Sequence, residues 1–191
     1  MIAIVKACGN NFASIQFALE RLNKESVVTN DAEVIRSATQ VILPGVGYAD
    51  KAMKRLTELG LCEVIKGLKQ PVLGICLGMQ LLYENSEEGD VTCLGVIPGK
   101  IKKMISNNGQ TLPHMGWNTL DDATSDGADY VYFVHSYCAP INKYTTATTM
   151  YTEKFTSIVT RKNYVGMQFH PERSGAYGEE LLRQFLKMRL L

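Results

Sequence analysis

The chain has 191 residues and lacks the features that mark several large classes of protein. Its 20 lysines and arginines nearly balance 19 acidic residues, which leaves a formal net charge of +1. Bulk electrostatic binding to nucleic acid or to an anionic membrane needs a larger excess of positive charge. No apolar run approaches the ~20 residues that a membrane-spanning helix requires. We therefore expect that neither a nucleic acid nor a membrane is a partner.

Cysteine and histidine are scarce, and their spacing is irregular. The five cysteines form no CxxC pair, which argues against a disulfide framework and a zinc site and suits a reducing cytoplasm. The apolar segment 1–5 has no basic residues before it, so it is interpreted as a first strand and not as a signal peptide. There is neither a cluster with metal-ligand spacing nor a P-loop lysine or Rossmann glycine pattern. We expect no metal and no cofactor.

Short apolar runs alternate with helical patterns in the first half of the chain, which is typical of a doubly wound parallel sheet. The second half is richer in strand-like segments separated by turns. With 46% hydrophobic residues and no linker, residues 1–191 are expected to form one domain, an α/β fold with a mostly parallel sheet and added antiparallel strands. The expected strands are 1–5, 26–29, 40–43, 72–75, 94–104, 130–135, 145–151, 156–160 and 164–169, and the expected helices are 11–22, 32–37, 48–59, 61–68, 77–84 and 179–190.

The most informative segment is Gly74-Ile75-Cys76-Leu77-Gly78, which follows an apolar run directly. The pattern Gly-x-Cys-x-Gly is that of a nucleophile elbow with cysteine in place of serine. Its glycines permit a sharp turn from strand to helix because they bring no Cβ into the bend. Cys76 is then expected at the end of a buried strand and at the positive end of the next helix, which favours the reactive thiolate. The motif predicts acyl transfer through a thioester.

A histidine and a carboxylate suited to activate this cysteine occur late in the chain. His170 follows the last expected strand, and Glu172 is close enough to accept a hydrogen bond from its imidazole. Cys76, His170 and Glu172 therefore predict a catalytic triad. Cys76 and His170 both follow strands of parallel type, whose carboxyl ends meet at the ligand-binding edge of an open sheet.

Backbone N–H donors for an oxyanion are expected from two segments at the same edge. The loop Pro44-Gly45-Val46-Gly47 also follows a strand, and its glycines can turn N–H groups toward a substrate carbonyl. The N–H of Leu77, directly after the nucleophile, is the second expected donor. The other histidines, His114 and His135, are expected to be structural or to support the site from behind.

These three loops resemble those of the class I (triad) glutamine amidotransferases. The motifs of that family are an oxyanion loop with Pro-Gly, an elbow Gly-x-Cys-x-Gly-x-Gln and a late His-Pro-Glu, and all three occur here in that order. Segments 113–118 and 132–137 further resemble the members that serve histidine biosynthesis, and the similarity covers essentially the whole chain. The resemblance implies the flavodoxin-like amidotransferase fold.

The resemblance also implies a role for each part of the site. Cys76 would attack the side-chain amide of glutamine, His170 would protonate the leaving ammonia and then activate water, and Glu172 would orient His170. The implied oxyanion donors are Gly45, Val46 and Leu77. The implied contacts to glutamine are Gly47, Gln80, Glu88, Ser136 and Tyr137.

A partner is implied as well, because free ammonia would be lost to water. In the members that this chain resembles, the partner is a (β/α)8-barrel cyclase subunit, which forms a heterodimer and makes imidazole glycerol phosphate and AICAR ribonucleotide. Asn11, Trp117 and Arg173 match positions that face this partner. The segment 6–10, Lys-Ala-Cys-Gly-Asn, departs from the family pattern Asp-Tyr-Gly-x-Gly before the shared Asn11.

Three alternatives stay open at this point. One is a paralogous glutaminase that serves amidation of a cell-surface sugar with a different barrel partner. A second is a non-catalytic subunit with the same fold, against which the intact triad argues. A third is a cysteine peptidase on the same scaffold, although Gln80 and Glu88 favour a free amino acid over a peptide.

Overall fold

A computed structural model describes residues 1–7, 9, 11–106, 109–121 and 130–189. Cys8, Asn10 and Leu190 lie outside the described residues. The helices are α1 (Phe12–Arg21), α2 (Ala32–Ser37), α3 (Ala49–Glu58), α4 (Leu61–Gly67), α5 (Leu77–Leu81) and α6 (Gly175–Lys187). The strands are β1 (Ile2–Val5), β2 (Ser26–Thr29), β3 (Gln40–Gly45), β4 (Val72–Cys76), β5 (Tyr83–Ser86), β6 (Val91–Thr92), β7 (Ile97–Lys103), β8 (His114–Thr119), β9 (Tyr130–His135), β10 (Tyr137–Cys138), β11 (Thr145–Met150), β12 (Lys154–Arg161) and β13 (Tyr164–Met167).

The central sheet has seven strands in the order β11-β12-β13-β4-β3-β1-β2. The five strands from β13 to β2 are mutually parallel, and β12 and β11 extend the sheet as antiparallel strands. This arrangement confirms the predicted α/β fold with a mostly parallel sheet. No helix in the described part of the chain has the length and apolar character needed to cross a bilayer.

Helices cover both faces of the sheet, because the central strands are apolar on both sides. In β1, Ala3 and Val5 pack with α2, α3, α4 and α5 on one face, whereas Ile2 and Ile4 pack with α1 and α6 on the other. The β8–β9 hairpin covers part of that second face through Phe133. Such two-sided burial explains why the strands are nearly continuous apolar runs in the sequence.

The segment after the elbow differs from the prediction. A helix was expected over 77–84, but α5 ends at Leu81 and β5 begins at Tyr83. The reason is a tertiary interaction, because β5 pairs in parallel with β7 and Tyr83 lies opposite Ile97. These strands belong to a small sheet of order β10-β7-β5-β6. The strand β8 was not predicted either; it forms by pairing with β9. The last helix begins at Gly175, four residues before the predicted start.

Three neighbouring strands end together at the carboxyl edge of the sheet. Gly45 at the end of β3 lies opposite Cys76 at the end of β4, and Met167 of β13 lies opposite Ile75. The loops after these strands carry the oxyanion segment, the elbow and the late His-Pro-Glu. The register of the sheet therefore brings the three predicted motifs to one place.

Candidate active site

Cys76 occupies a strained turn between β4 and α5. Its φ is +53°, in the left-handed region that residues with a side chain rarely adopt, and only 6% of the residue is exposed. Two glycines make this turn possible through close packing. A Cβ on Gly78 would lie 1.8 Å from the carbonyl oxygen of Leu43, and one on Gly74 would lie 2.7 Å from the carbonyl oxygen of Gly78. Helix α5 thus rests directly on the backbone of β3 and β4 and holds the elbow in place.

His170 and Glu172 form a buried pair behind the cysteine. The Nδ1 atom of His170 lies 2.8 Å from Oε1 of Glu172, and both side chains are almost fully buried. A 3-10 turn over Pro171–Arg173 brings the carboxylate back to the ring. The backbone N–H of His170 donates to the carbonyl of Tyr132, which anchors the segment to β9. The Nε2 atom has no hydrogen-bond partner among the described residues, so it is the ring nitrogen that is free for chemistry.

The charge state of His170 depends on its neighbours. Burial alone lowers the pKa of this imidazole, but the adjacent Cys76 sulfur and the Glu172 carboxylate outweigh burial and raise the pKa to about 10. The ring is therefore protonated at neutral pH when the sulfur beside it is a thiolate. A thiolate–imidazolium pair of this kind has both the nucleophile and the acid that acyl transfer needs.

Glu172 has a second partner that connects it to the surface. The Nδ2 atom of Asn11 donates to the same oxygen, Oε1, at 2.6 Å. The Oδ1 atom of Asn11 in turn accepts from the guanidinium of Arg173 at 3.3 Å. Two residues predicted to face a partner are thus joined to the Glu172 carboxylate by hydrogen bonds.

A cavity of about 530 Å³ opens in front of the cysteine and the histidine. Nine of the predicted site residues line it: Val46, Gly47, Cys76, Leu77, Gln80, Glu88, Ser136, Tyr137 and His170. The remaining lining residues, which the sequence did not single out for this place, are Tyr48, Lys103, Pro113, Val134 and His135. Gly45, Glu172, Asn11, Trp117 and Arg173 do not line the cavity.

Glu88 lines the cavity although it lies outside the three sequence motifs that contain the triad. Its Oε2 atom accepts from the N–H of Ala49, at the start of α3, at 3.0 Å. Burial raises the pKa of Glu88, while the hydrogen bond from Ala49 opposes that rise. The cavity also contains a cation, Lys103 of β7. Opposite charges at one cavity suit a zwitterionic amino acid as ligand.

The oxyanion loop leaves the sheet at Gly45, whose Cα is in tight contact with α5. A Cβ there would lie 2.7 Å from the backbone nitrogen of Gly78, so no larger residue fits. Gly47 has a φ of +105°, which requires glycine for conformational reasons. Val46 between them is in close contact with Gly9 of the first loop, where a Cβ would meet the valine side chain and backbone. Gly9 of the atypical first segment therefore packs against the oxyanion loop.

Gln80 lines the cavity, but its side chain is also hydrogen-bonded inside the protein. It is 4% exposed, and its Nε2 atom donates both to the carbonyl of Tyr137 at 2.9 Å and to Oε1 of Gln168 at 3.0 Å. Gln168 in turn places its Nε2 atom 3.8 Å from the Cys76 sulfur. Gln168 is not among the predicted site residues, because its position in the late motif becomes informative only when the pairing of β13 with β4 is known.

His114 and His135 form a buried pair beneath the cavity. The two rings approach through Nδ1 of His114 and Nε2 of His135, 3.2 Å apart, and Nδ1 of His135 lies 2.8 Å from the carbonyl of Tyr137. Since that carbonyl only accepts, Nδ1 of His135 donates to it, and Nε2 accepts from His114. Burial lowers the pKa of His114 to about 4 and that of His135 to about 3, so both rings are neutral at pH 7.

Trp117 lies outside the cavity, on the outer side of the β8–β9 hairpin. It is 55% exposed, as is Met115 at 63%, while its ring packs edge-on against Tyr132 at 6.0 Å. Alternation along β8 turns these two apolar side chains outward and His114 inward. An exposed apolar ridge of this kind is typical of a protein–protein contact.

Among the described residues, no group of three or more His, Cys, Asp or Glu side chains has an arrangement that could hold a metal ion. The four cysteines that the structure describes are free thiols.

The comparisons with known sequences identify a family and a group of relatives within it. The model of the family described as glutamine amidotransferase class-I matches residues 4–188. The chain is 51% identical to the imidazole glycerol phosphate synthase subunit HisH of Idiomarina loihiensis, over 99% of this chain and 98% of that protein. It is 44% identical to the subunit of the same name from Bacteroides fragilis, over 98% of this chain and 99% of that protein.

Solved structures with similar folds agree with this similarity. A crystal structure of a glutamine amidotransferase superimposes with a TM-score of 0.77 at 18% identity, and the match covers 97% of each chain. The structure of PurLQS from Thermotoga maritima gives a TM-score of 0.67 at 17% identity, over 97% of this chain and 96% of the other. At these identities the likeness concerns the fold.

Proposed function

Because the chain belongs to the class-I glutamine amidotransferase family, and within it to the family of imidazole glycerol phosphate synthase subunit HisH, we propose that Cys76, His170 and Glu172 hydrolyse glutamine. The chain is the glutamine-hydrolysing subunit of that synthase and acts in histidine biosynthesis. The main support for the role of the triad is that Cys76 and His170 line the same cavity. Oε1 of Glu172 lies 2.8 Å from Nδ1 of the His170 ring.

In the first half of the reaction the Cys76 thiolate attacks the side-chain carbonyl carbon of glutamine. The carbonyl oxygen becomes an oxyanion, for which the N–H groups of Leu77 and of the Gly45–Gly47 loop are the proposed donors. A donor of this type lowers the barrier by about 3 kcal/mol. The carbon–nitrogen bond then breaks, and the Nε2 proton of His170 passes to the leaving group, which departs as ammonia. A thioester remains on the sulfur.

In the second half, water replaces the sulfur. The thioester sulfur has no charge, so His170 loses one of the two neighbours that raise its pKa. The pKa of the ring therefore falls after acylation, and the neutral imidazole takes a proton from water as the water attacks the thioester. Glutamate leaves, and the proton returns the pair to its starting state. The same neighbour contact thus makes His170 an acid before acylation and a base after it.

The opposite end of glutamine carries an ammonium and a carboxylate, and the cavity has groups of opposite charge for both. We propose that Glu88 binds the α-ammonium group and that the backbone of Ser136 and Tyr137 positions the carboxylate end. Gln80 acts in this binding by holding the Tyr137 carbonyl in place through its hydrogen bond. Lys103 adds a positive charge at the same cavity. A peptide substrate would have neither free charge at an internal glutamine, so this arrangement supports a free amino acid over the peptidase alternative.

The name of the related subunits implies a synthase with a second subunit. We propose that this second subunit is the (β/α)8-barrel cyclase HisF, that the two form a heterodimer, and that ammonia passes directly to it. The exposed Trp117 and the pair Asn11 and Arg173 are the proposed contacts. The free thiols of the described cysteines suit a reducing compartment, which supports a cytoplasmic location. The surface-sugar alternative is not favoured, since the related subunits named above belong to the imidazole glycerol phosphate synthase.

Glutamate release from glutamine tests the proposal. The purified chain is assayed alone and then with the cyclase subunit and its phosphoribulosyl acceptor. We expect strong stimulation by the loaded partner and loss of activity in Cys76→Ala. Hydrolysis that is unaffected by the partner would refute the partner assignment, and no hydrolysis under any condition would refute the assignment of the triad.

A further inference from the structure

We infer that Gln168 is a further catalytic residue, whose side-chain N–H stabilises the Cys76 thiolate. This inference rests on the proposed function of the triad and adds a residue to it. Gln168 is fully buried, and its Nε2 atom contacts the sulfur at 3.8 Å. No role for it follows from the triad motif itself.

The register of the central sheet places Gln168 beside the nucleophile. Strand β13 pairs in parallel with β4, with Gly166 opposite Gly74 and Met167 opposite Ile75. One step further along the same register brings Gln168 opposite Cys76. Alternation along the strand puts residues 166 and 168 on one face, and Gly166 on that face packs against Met79 of α5. The side chain of Gln168 is thereby directed toward the elbow.

The orientation of the Gln168 amide follows from a chain of hydrogen bonds that begins at a main-chain carbonyl. The carbonyl of Tyr137 can only accept, so the Gln80 group 2.9 Å from it is the NH₂ group. That same Nε2 atom donates to Gln168 at 3.0 Å, which requires the oxygen of the Gln168 amide on this side. The NH₂ group of Gln168 then faces the sulfur. The donor character of this contact is set by the protein and is independent of the substrate.

The contact favours the anionic form of the sulfur. Besides His170, whose protonated ring also favours a thiolate, the sulfur contacts the carbonyl of Val134 at 3.8 Å, which accepts the S–H of a neutral thiol and repels a thiolate. The Gln168 N–H does the reverse, and burial shields it from competition by water. When the carbon–sulfur bond has formed and the carbon–nitrogen bond has broken, the thioester sulfur is a weak acceptor. Gln168 transfers no atom and acts on the nucleophile before acylation.

The test is the pH profile of Cys76 alkylation by iodoacetamide, measured on the full chain by mass spectrometry of the peptide that contains Cys76. Two variants remove the donor. Gln168→Met has a similar length and no amide, and Gln168→Glu keeps an acceptor for Gln80 but replaces the N–H by an oxygen. Gln70→Met is the matched control, because Gln70 is also buried and its Nε2 donates to the carbonyls of Ile35 and Arg36, at the end of α2.

We expect the midpoint of the alkylation profile to move upward by about one pH unit in Gln168→Met, a tenfold loss of thiolate below the midpoint, and further in Gln168→Glu. The midpoint of Gln70→Met should match that of the parent chain. Unchanged midpoints in both Gln168 variants, or an equal shift in Gln70→Met, would overturn the inference.

Glutamate release by the parent chain with the loaded cyclase is measured in parallel. If the parent does not hydrolyse glutamine, the proposed function fails, whatever the alkylation profiles are. If the parent is active and the variants alkylate like the parent, only the role of Gln168 fails.

Discussion

The Asn11 side chain lies between Arg173 and Glu172 in the hydrogen-bonded series that ends at the His170 ring. Its Nδ2 atom donates to Glu172 Oε1, the oxygen that also faces the imidazole. Replacing Asn11 by leucine leaves the buried carboxylate with one fewer donor. We expect kcat of the loaded complex to fall about tenfold, since a hydrogen bond to a charged group contributes roughly 1.5 kcal/mol or more.

Steady-state glutamate release and the dissociation constant for the cyclase subunit are measured together for Asn11→Leu. A lower kcat with unchanged binding supports a role through Glu172. Weaker binding with an unchanged kcat at saturation would instead make Asn11 an interface residue only.

Gly78 and Gly67 differ in the space around them and predict opposite responses to the same substitution. A Cβ on Gly78 would overlap the carbonyl of Leu43, and the atom in its way is backbone and cannot rotate away. We expect Gly78→Ala to lower the free energy of unfolding by about 3 kcal/mol or more. Gly67, at the end of α4, has open space and ordinary φ, so Gly67→Ala should raise stability by about 0.5 kcal/mol.

Urea denaturation followed by circular dichroism compares the two glycine variants with the parent. Equal stabilities would contradict the close packing of α5 on β3.

At single positions, the proximity of Cys76, His170 and Glu172 was predictable because each of them lies in a short local motif. The glycines of the elbow are recognisable for the same reason. Gln168 was not predictable as a neighbour of the sulfur, since the contact joins residues 92 positions apart and depends on strand pairing. Gln80 was predicted as a substrate contact, and the structure adds that its NH₂ group is held inside the protein.

At the level of elements, the β8–β9 hairpin contains a pair of buried histidines whose protonation affects stability. His114 of β8 and His135 of β9 are directly opposite each other, and burial lowers the pKa of each ring to about 4 and about 3. An unfolded histidine titrates near pH 6.5, so between about pH 6.5 and pH 4 the unfolded chain binds more protons at these positions than the folded chain. The contribution of this pair to the free energy of unfolding has its full value above pH 6.5 and decreases as the pH falls below it.

We expect the free energy of unfolding to decrease by roughly 1.4 kcal/mol per pH unit for each histidine across this window. His114→Phe removes one titrating ring. The slope of its free energy of unfolding against pH, between pH 6.5 and pH 4.5, should therefore be smaller than that of the parent by the contribution of one proton, about 1.4 kcal/mol per pH unit. Urea denaturation at closely spaced pH values gives both slopes. Parallel slopes for parent and variant would contradict a buried neutral His114.

The elements of the first half were predicted well because a parallel strand or an amphipathic helix carries its own pattern. The error after the elbow has a physical cause. Leu81, Leu82 and Tyr83 are all fully buried, and a continuous apolar run does not distinguish a helix from a strand. Pairing with strand β7 stabilises the extended conformation at Tyr83, and nothing in the local sequence indicates that pairing.

For the molecule as a whole, the single tryptophan provides a direct measure of assembly. Trp117 is 55% exposed, so its indole is in contact with water in the free chain. We expect its fluorescence emission to shift to shorter wavelength when the cyclase subunit binds. Trp117→Ala should weaken that binding by about tenfold, because large aromatic side chains contribute most to such interfaces.

Binding of the Trp117→Ala variant is measured by calorimetry, since the optical probe is then absent. Ile141→Ala is the control, because Ile141 is a similarly exposed apolar residue in the turn before β11. Equal loss of affinity in both variants, or none in Trp117→Ala, would refute the assigned interface.

The order of the strands in the central sheet also has a consequence for synthesis on the ribosome. Strands β1 to β4 emerge first and already contain the thiol, whereas β13 and the segment with His170 come from the last part of the chain. A nascent or prematurely terminated chain therefore presents a cysteine without its base and without the Gln168 donor. Incomplete translation products are expected to be chemically idle toward glutamine, so the cell does not lose nitrogen to unfinished copies of the enzyme.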